Sequence, residues 1–122
     1  MSKHKDDRAY LWDMLEASRM ACEFVQDKSF HFFLSDPLLQ SGVERKLEII
    51  GEAANRVSSD MKEKYSSIPW NIIIGQRHVL VHDYDEINYE RIWNVCQKDL
   101  PVLIENLEVL LPKLTEECED QK

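Results

Sequence analysis

The fold is decided largely by SDPLLQSGVERKLEIIGEAANRVS, residues 35–58. Asp36 and Pro37 predict a helix N-terminus, because an aspartate side chain caps free backbone N–H groups and proline fits the first helical turn. Apolar residues then recur at spacings of three and four, the period of a helix with one buried face. They are Leu38, Leu39, Val43, Leu47, Ile50, Ala54 and Val57. We expect one long amphipathic helix reaching about Ser58, in which Gly51 lets another helix cross close by.

The residues before and just after this helix predict two further helices. Apolar residues from Leu11 to Val25 keep the helical period, so a first helix is expected from about residue 7 to 26. Residues 29–34 are aromatic but irregular, and we expect a connector that still packs on the core. Ser59 and Asp60 predict the cap of a short helix that ends near Tyr65.

Two more helices are predicted in the second half of the chain. Ile68-Pro69-Trp70 predicts a helix start, with proline in the first turn. Asn88 is expected to cap a last helix that continues to Leu111. Pro101 lies within it and is expected to kink or split it, because proline lacks the N–H that a helix needs.

Length and composition agree with a small helical protein. The chain has 122 residues, of which only 3 are glycine and 4 are proline. We therefore predict one all-α domain, residues 1–122, folded as an antiparallel bundle of about five helices. The acidic residues 113–122 are expected to form a frayed tail.

The charge balance excludes some classes of function. Asp and Glu number 23 and Lys and Arg 15, which gives a formal net charge of −8. Such a chain is a poor general DNA-coating protein or polybasic membrane binder, yet it can still hold a small basic site of a nuclease.

The cysteines and the chain start predict a cytoplasmic protein. Cys22, Cys96 and Cys118 are odd in number and far apart, which disfavours a disulfide framework or a zinc site. Residues 1–8 are polar and no apolar stretch follows them, so no signal peptide is expected. The apolar runs are also too short to span a bilayer.

The stretch that carries chemistry is GQRHVLVHDYD, residues 75–85. At roughly 100° per residue, Arg77 falls in the middle of an apolar helix face, which makes an unpaired guanidinium there costly. It needs a buried acid such as Glu52, a phosphate or a water-filled cleft. On the same helix His82 would lie about 140° from Arg77. The two side chains could therefore not easily contact the same phosphate, unless the helix ends before His82 or a second subunit completes the site.

These side chains suit cleavage of RNA without a metal. A histidine can take the proton of a 2′-hydroxyl as general base, and an arginine can stabilise the charge of the pentacovalent phosphate. His78 and His82 have a spacing that can also hold a metal, but the sequence offers no obvious third ligand. The alternative is purely structural, with Arg77 paired to Glu52 and the histidines at a helix end.

The same residues resemble the Arg-x4-His-x-Tyr signature of HEPN-domain proteins of the HepT type, here Arg77, His82 and Tyr84. The resemblance extends to LEIIGEAA at residues 47–54, to the helix start at residues 68–70, and to Ile92-Trp93 followed by Asp99-Leu100-Pro101. His78 stands where relatives often carry asparagine or aspartate.

The resemblance implies a HEPN-like homodimeric toxin of a type VII toxin–antitoxin pair, a metal-independent endoribonuclease with RNA as its substrate. Arg77, His82 and His78 would be catalytic, with no metal and no cofactor. It also implies a MntA-like nucleotidyltransferase antitoxin, which transfers AMP from ATP to the motif tyrosine, here Tyr84. The alternative is a catalytically silent HEPN subunit that binds nucleotide or regulates its nucleotidyltransferase partner.

Overall fold

A computed structural model describes residues 3–75 and 87–120, with the side chains of residues 7–75 and 87–114. Within these residues every regular element is helical and no strand occurs, which confirms the all-α class. The elements are α1 (Lys3–Val25), α2 (Phe30–Ser35), α3 (Pro37–Arg56), α4 (Ser59–Lys64), α5 (residues 70–75, to the edge of the described segment), α6 (Tyr89–Asn94), a π-helical turn (Val95–Asp99) and α7 (Leu100–Asp120).

Helix α1 is the centre of the bundle and packs on both α3 and α7. Asp7 near its start meets Ser58 just beyond α3, and Arg19 near its end meets Glu108 of α7, so α1 runs antiparallel to both neighbours. The most buried large side chains come from five of these helices. They include Leu11, Met14, Phe33, Val43, Ile92 and Leu107. No helix among the described residues combines the length and the apolar character that crossing a bilayer requires.

Asp7 ties α1 to the start of α4 through a buried carboxylate. Asp7 is 3% exposed, and its two oxygens accept hydrogen bonds from the backbone N–H of Ser58 at 2.8 Å and from the Ser58 hydroxyl at 2.6 Å. The Ser58 hydroxyl oxygen in turn accepts from the N–H of Met61 at 3.2 Å, which caps α4. The cap is therefore Ser58, one residue before the predicted Ser59 and Asp60.

We expect Asp7→Ala to lower the free energy of unfolding by about 2 kcal/mol, because it leaves two partly buried donors on Ser58 without their carboxylate acceptor. Urea unfolding followed by circular dichroism measures the difference. The matched control is Asp13→Ala, the same change at an exposed position of α1. Equal losses in the two variants would contradict this role of Asp7.

Helix α2 replaces the connector predicted over residues 29–34. The Ser29 hydroxyl oxygen accepts from the N–H of Phe32 at 3.0 Å and caps the helix, while Phe33 is fully buried. The prediction that this segment packs on the core is confirmed, but the prediction that it is an irregular connector is wrong. A six-residue helix is too short to display a helical period, and its cap at Ser29 was the available signal.

Helix α3 matches its prediction closely. Asp36 caps it, since one carboxylate oxygen accepts from the N–H groups of Leu38 and Leu39 at 3.1 and 3.2 Å, and Pro37 occupies the first turn. The helix ends at Arg56, close to the predicted end. Leu38 departs from the predicted apolar face, because it is 83% exposed.

The predicted last helix is split, as expected near Pro101. Asn88 caps α6, and the π-helical turn follows before α7 begins. The N–H of Leu100 donates to the carbonyl of Val95, five residues back, directly before the proline. This wider turn accommodates a ring that would clash with the preceding helical carbonyl.

The predicted end of this helix at Leu111 is wrong. Helix α7 passes through Pro112 and continues to Asp120, nine residues beyond the predicted end. Fraying of the tail, residues 113–122, stays a prediction. Leu114 is buried, and its packing extends the apolar face of α7 by a further turn.

Glu44 on α3 gives the fold a pH dependence. Burial raises the pKa of its carboxyl above the ordinary value of 4.5. Folding therefore favours the protonated form, and this contribution to stability is lost as the pH rises through the raised pKa. At about pH 7 we expect Glu44→Gln to have a higher free energy of unfolding than wild type, because the neutral amide avoids burying a charge. At about pH 4 we expect no such gain. Urea titrations at both pH values test this, with the exposed Glu63→Gln as control; the same difference at both pH values would contradict it.

Candidate functional site

The predicted site residues Arg77, His78, His82 and Tyr84 lie outside the described residues, which stop at Gly75 and resume at Ile87. Their roles therefore remain predictions. The structure describes the helices that lead into and out of this segment and the part of α3 that the sequence places beside it.

The entry to the segment is anchored in the core. Ile68 and Trp70 are buried, and the Trp70 indole N–H donates to the backbone carbonyl of Tyr65 at 3.1 Å. The N–H of Ile73 donates to the carbonyl of Pro69 at 3.1 Å, which closes the first turn of α5. The helix start predicted at residues 68–70 is confirmed. It fixes the start of α5, the last described element before the motif.

The exit is held by an aromatic cluster that joins α2 to α6. The ring of Phe33 lies 6.0 Å from the ring of Tyr89, edge to face, and 5.6 Å from that of Trp93. Phe30 also contacts Trp93, at 6.0 Å between centroids. The amide of Gln40 on α3 donates to the Phe33 carbonyl at 2.8 Å. Helix α2, which sequence reasoning missed, therefore positions the chain just after the motif.

On α3, the segment of residues 47–54 faces inward. Gly51 and Ala54 are buried, and Glu52 is half-buried. The burial of Gly51 agrees with its predicted place on the packed side of α3. The predicted pair between Glu52 and Arg77 involves a residue outside the described part of the chain.

A polar groove of about 340 Å³ opens at the exit, directly after Ile87. Asn88, Arg91 and Asn94 line it together with the acids Glu90 and Asp99. Arg91, one of two auxiliary cations that the sequence suggested for RNA contact, thus shares its groove with two carboxylates. Its described lining therefore holds more acidic than basic side chains.

The second suggested cation, Arg45, is also accompanied by an acid. Its guanidinium lies 3.6 Å from the carboxylate of Glu48 on the same exposed face of α3. Because the two opposite charges lie close together, this surface pair offers little net positive charge for binding a phosphate.

Metal ligands do not gather in the described part of the chain. No group of three or more His, Cys, Asp or Glu side chains comes together there. The pair His78 and His82 lies outside it.

The described cysteines are free thiols that meet across the bundle. The Cys22 thiol on α1 donates to the carbonyl of Cys96 in the π-helical turn at 3.7 Å. Burial raises the pKa of Cys22, and burial together with Cys22 raises that of Cys96 to about 12. Both thiols therefore stay protonated at neutral pH, where they serve packing rather than nucleophilic chemistry.

Comparison with known proteins links this bundle to a family. The family model described as ribonuclease HepT-like matches residues 14–110, which include the whole motif from Arg77 to Tyr84. A candidate RNase from Methanocaldococcus jannaschii is 34% identical over 110 residues, covering 90% of this chain and 100% of the relative. Another, from Caldanaerobacter subterraneus subsp. tengcongensis, is 38% identical over 109 residues, covering 89% and 97%.

A third relative carries the family's name. A protein of Thermococcus cleftensis named as a ribonuclease HepT is 37% identical over 100 residues, covering 82% of this chain and 88% of its own length. No solved structure matches the chain significantly. The family match spans most of the chain and these relatives are covered almost end to end, so the chain belongs to the ribonuclease HepT-like family of HEPN domains.

Proposed function

We propose that this protein is a metal-independent endoribonuclease and the toxin of a toxin–antitoxin pair. The observation that carries the proposal is the coincidence of two facts. The sequence holds an intact Arg77-x4-His82-x-Tyr84 motif, and the motif lies inside the matched family stretch of residues 14–110. The relatives' names add support, because they assign RNase activity to those proteins.

The reaction is an internal transesterification of RNA. His82 accepts the proton of the 2′-hydroxyl, and the 2′-oxygen bonds to the adjacent phosphorus. The bond from phosphorus to the 5′-oxygen breaks, a proton returns to that oxygen, and a 2′,3′-cyclic phosphate remains. Arg77 stabilises the negative charge that builds on the phosphorane oxygens, and His78 assists as a donor. The internal nucleophile makes RNA, not DNA, the substrate.

A homodimer completes this site. If one helix continued from Arg77 to His82, the two side chains would point about 140° apart, and a single protomer would place them poorly around one phosphate. Two protomers with their motifs facing a shared cleft can supply the arginine from one chain and the histidine from the other. The dimer carries a formal charge of about −16, which confines RNA to local cationic sites.

Neutralisation is by transfer of AMP to Tyr84 from a nucleotidyltransferase partner of the MntA type. The phenolic oxygen attacks the α-phosphorus of ATP, and pyrophosphate leaves. The added phosphodiester charge and adenosine beside the cleft repel and obstruct RNA. Intact-mass spectrometry of the co-expressed protein should find an added mass of one or more AMP groups, which is lost in Tyr84→Phe. Unmodified Tyr84 beside an active partner enzyme would contradict this regulation.

The second candidate function is a catalytically silent subunit that regulates the nucleotidyltransferase. The acidic charge of the chain and the acids beside Arg91 favour it, because both oppose RNA binding. Expression of the protein alone separates the two candidates. The ribonuclease predicts growth arrest that Arg77→Ala abolishes, whereas the silent subunit predicts normal growth and partner binding in both proteins.

A further inference from the structure

A second nucleic-acid contact is suggested by a groove between α1 and α7. It has a volume of about 650 Å³ and runs between the first half of α1 and the Glu108–Pro112 part of α7. Its lining includes Arg8, Trp12, Arg19, Glu108 and Pro112. The residues that line it belong to these two helices, and none of them has a part in the proposed chemistry.

Trp12 lies open in this groove, off the buried face of α1. The neighbouring Leu11 and Leu15 are 0% and 2% exposed, whereas Trp12 is 51% exposed. Trp70, by contrast, is 7% exposed and its N–H is bonded to Tyr65. Trp12 therefore presents a large aromatic surface that the bundle does not use.

Arg8 lies one helical turn before Trp12 and lines the same groove. Among the side chains that the structure describes, Arg8 has no ion-pair partner, while Arg19 at the other end of the groove is held at 3.2 Å by both Glu16 and Glu108. The acid next to Arg8 in sequence, Asp7, is turned inward to Ser58. Among the described lining residues, the Arg8 guanidinium is thus the cation that has no carboxylate partner.

We propose that this groove binds single-stranded RNA, with a base stacked on Trp12 and the adjoining phosphate on Arg8. An open aromatic face and an arginine one turn apart offer the two contacts that a single nucleotide makes. In the described lining two arginines face the single acid Glu108, which makes this groove complementary to RNA on a chain whose net charge is −8. The inference rests on the proposed ribonuclease function: the groove is an anchoring site away from the motif that holds longer substrates.

The groove suits a protein helix less well. A docked amphipathic helix needs apolar anchors repeated along its length. Leu15 and Leu111 are buried in the groove wall, so the exposed apolar residues of the described lining are Trp12, Pro112 and the small Ala9. The salt bridge between Arg19 and Glu108 lies at one end of the groove.

The test is binding of a fluorescently labelled single-stranded 2′-O-methyl oligoadenylate, which lacks the 2′-hydroxyl and cannot be cut. We expect Trp12→Ala to raise its Kd about tenfold and Arg8→Ala to raise it severalfold with a shallower salt dependence. The matched controls are Phe32→Ala and Lys28→Ala. They remove an exposed aromatic and a cation at the same four-residue spacing, 5.8 Å from ammonium to ring, elsewhere on the bundle. Their Kd should stay at the wild-type value.

Tryptophan fluorescence gives an independent measurement. The oligonucleotide should quench wild-type emission, and most of the quenching should disappear in Trp12→Phe. Unchanged affinity in Trp12→Ala and Arg8→Ala, or equal losses in the two controls, would overturn the inference. So would loss of nucleotidyltransferase binding in Trp12→Ala with RNA affinity retained, because the groove would then be a protein interface. If wild type cleaves RNA but Trp12→Ala binds the oligonucleotide as tightly as wild type, only the proposed binding groove is refuted. If the oligonucleotide binds at Trp12 but wild type cleaves no RNA, the proposed ribonuclease function is refuted.

Discussion

Mixing Arg77→Ala protein with His82→Ala protein is expected to restore RNA cleavage that neither has alone. Each variant by itself should lose about 10²–10³-fold in rate, because one lacks the charge stabiliser and the other the base. In a mixed dimer with cross-chain sites, one of the two sites receives an intact arginine from one protomer and an intact histidine from the other. Random exchange makes half of the dimers mixed, so about a quarter of wild-type activity should return.

The control for this recovery is a mixture of Arg77→Ala with the double variant Arg77→Ala/His82→Ala, which contains no intact arginine and should stay inactive. Subunits are exchanged by joint unfolding and refolding, and cleavage of a labelled RNA is followed over time. A mixture as inactive as its components would mean that Arg77 and His82 act within one chain.

Phe33→Ala is expected to cause the largest loss of stability, about 3–5 kcal/mol in free energy of unfolding. Phe33 is completely buried and touches the rings of Tyr89 and Trp93, so its removal leaves a cavity where α2 meets α6. Urea unfolding followed by circular dichroism measures the loss. The neighbouring Phe32→Ala is the matched control, because Phe32 is 43% exposed on the same helix and should cost little. Similar losses in both variants would contradict the role given to Phe33.

The sequence predicted the long helices well because their information is local. A cap at Asp36 and a repeating apolar face are enough to place α3, and Pro101 is enough to place the break before α7. Helix α2 was missed, since its stability comes from the contact of Phe33 with side chains far away in sequence rather than from a period of its own. The end of α7 was missed for a similar reason: burial of Leu114 by the bundle outweighs the local effect of Pro112.

The candidate site also has one part that local sequence predicts and one part that depends on tertiary structure. Its chemistry, Arg77, His82 and Tyr84, is a linear motif and could be predicted from the sequence. The surroundings depend on tertiary structure: the aromatic support of the exit and the groove beside Trp12 each join segments that are far apart in sequence. Part of the groove could be predicted from the sequence, because Trp12 lies off the buried positions of α1. The opposite wall, which includes Pro112, could not, because it depends on the packing of α1 against α7.

The most direct test of the central claim is cleavage of a broad RNA panel by the purified wild-type protein in excess EDTA, with His82→Ala beside it. We expect wild type to cut single-stranded RNA in the presence of the chelator and to leave 2′,3′-cyclic phosphate ends, while His82→Ala is at least about 10²-fold slower. Wild-type protein that leaves every RNA intact, or a His82→Ala variant that cuts equally fast, would contradict the assignment of this chain as a metal-independent ribonuclease.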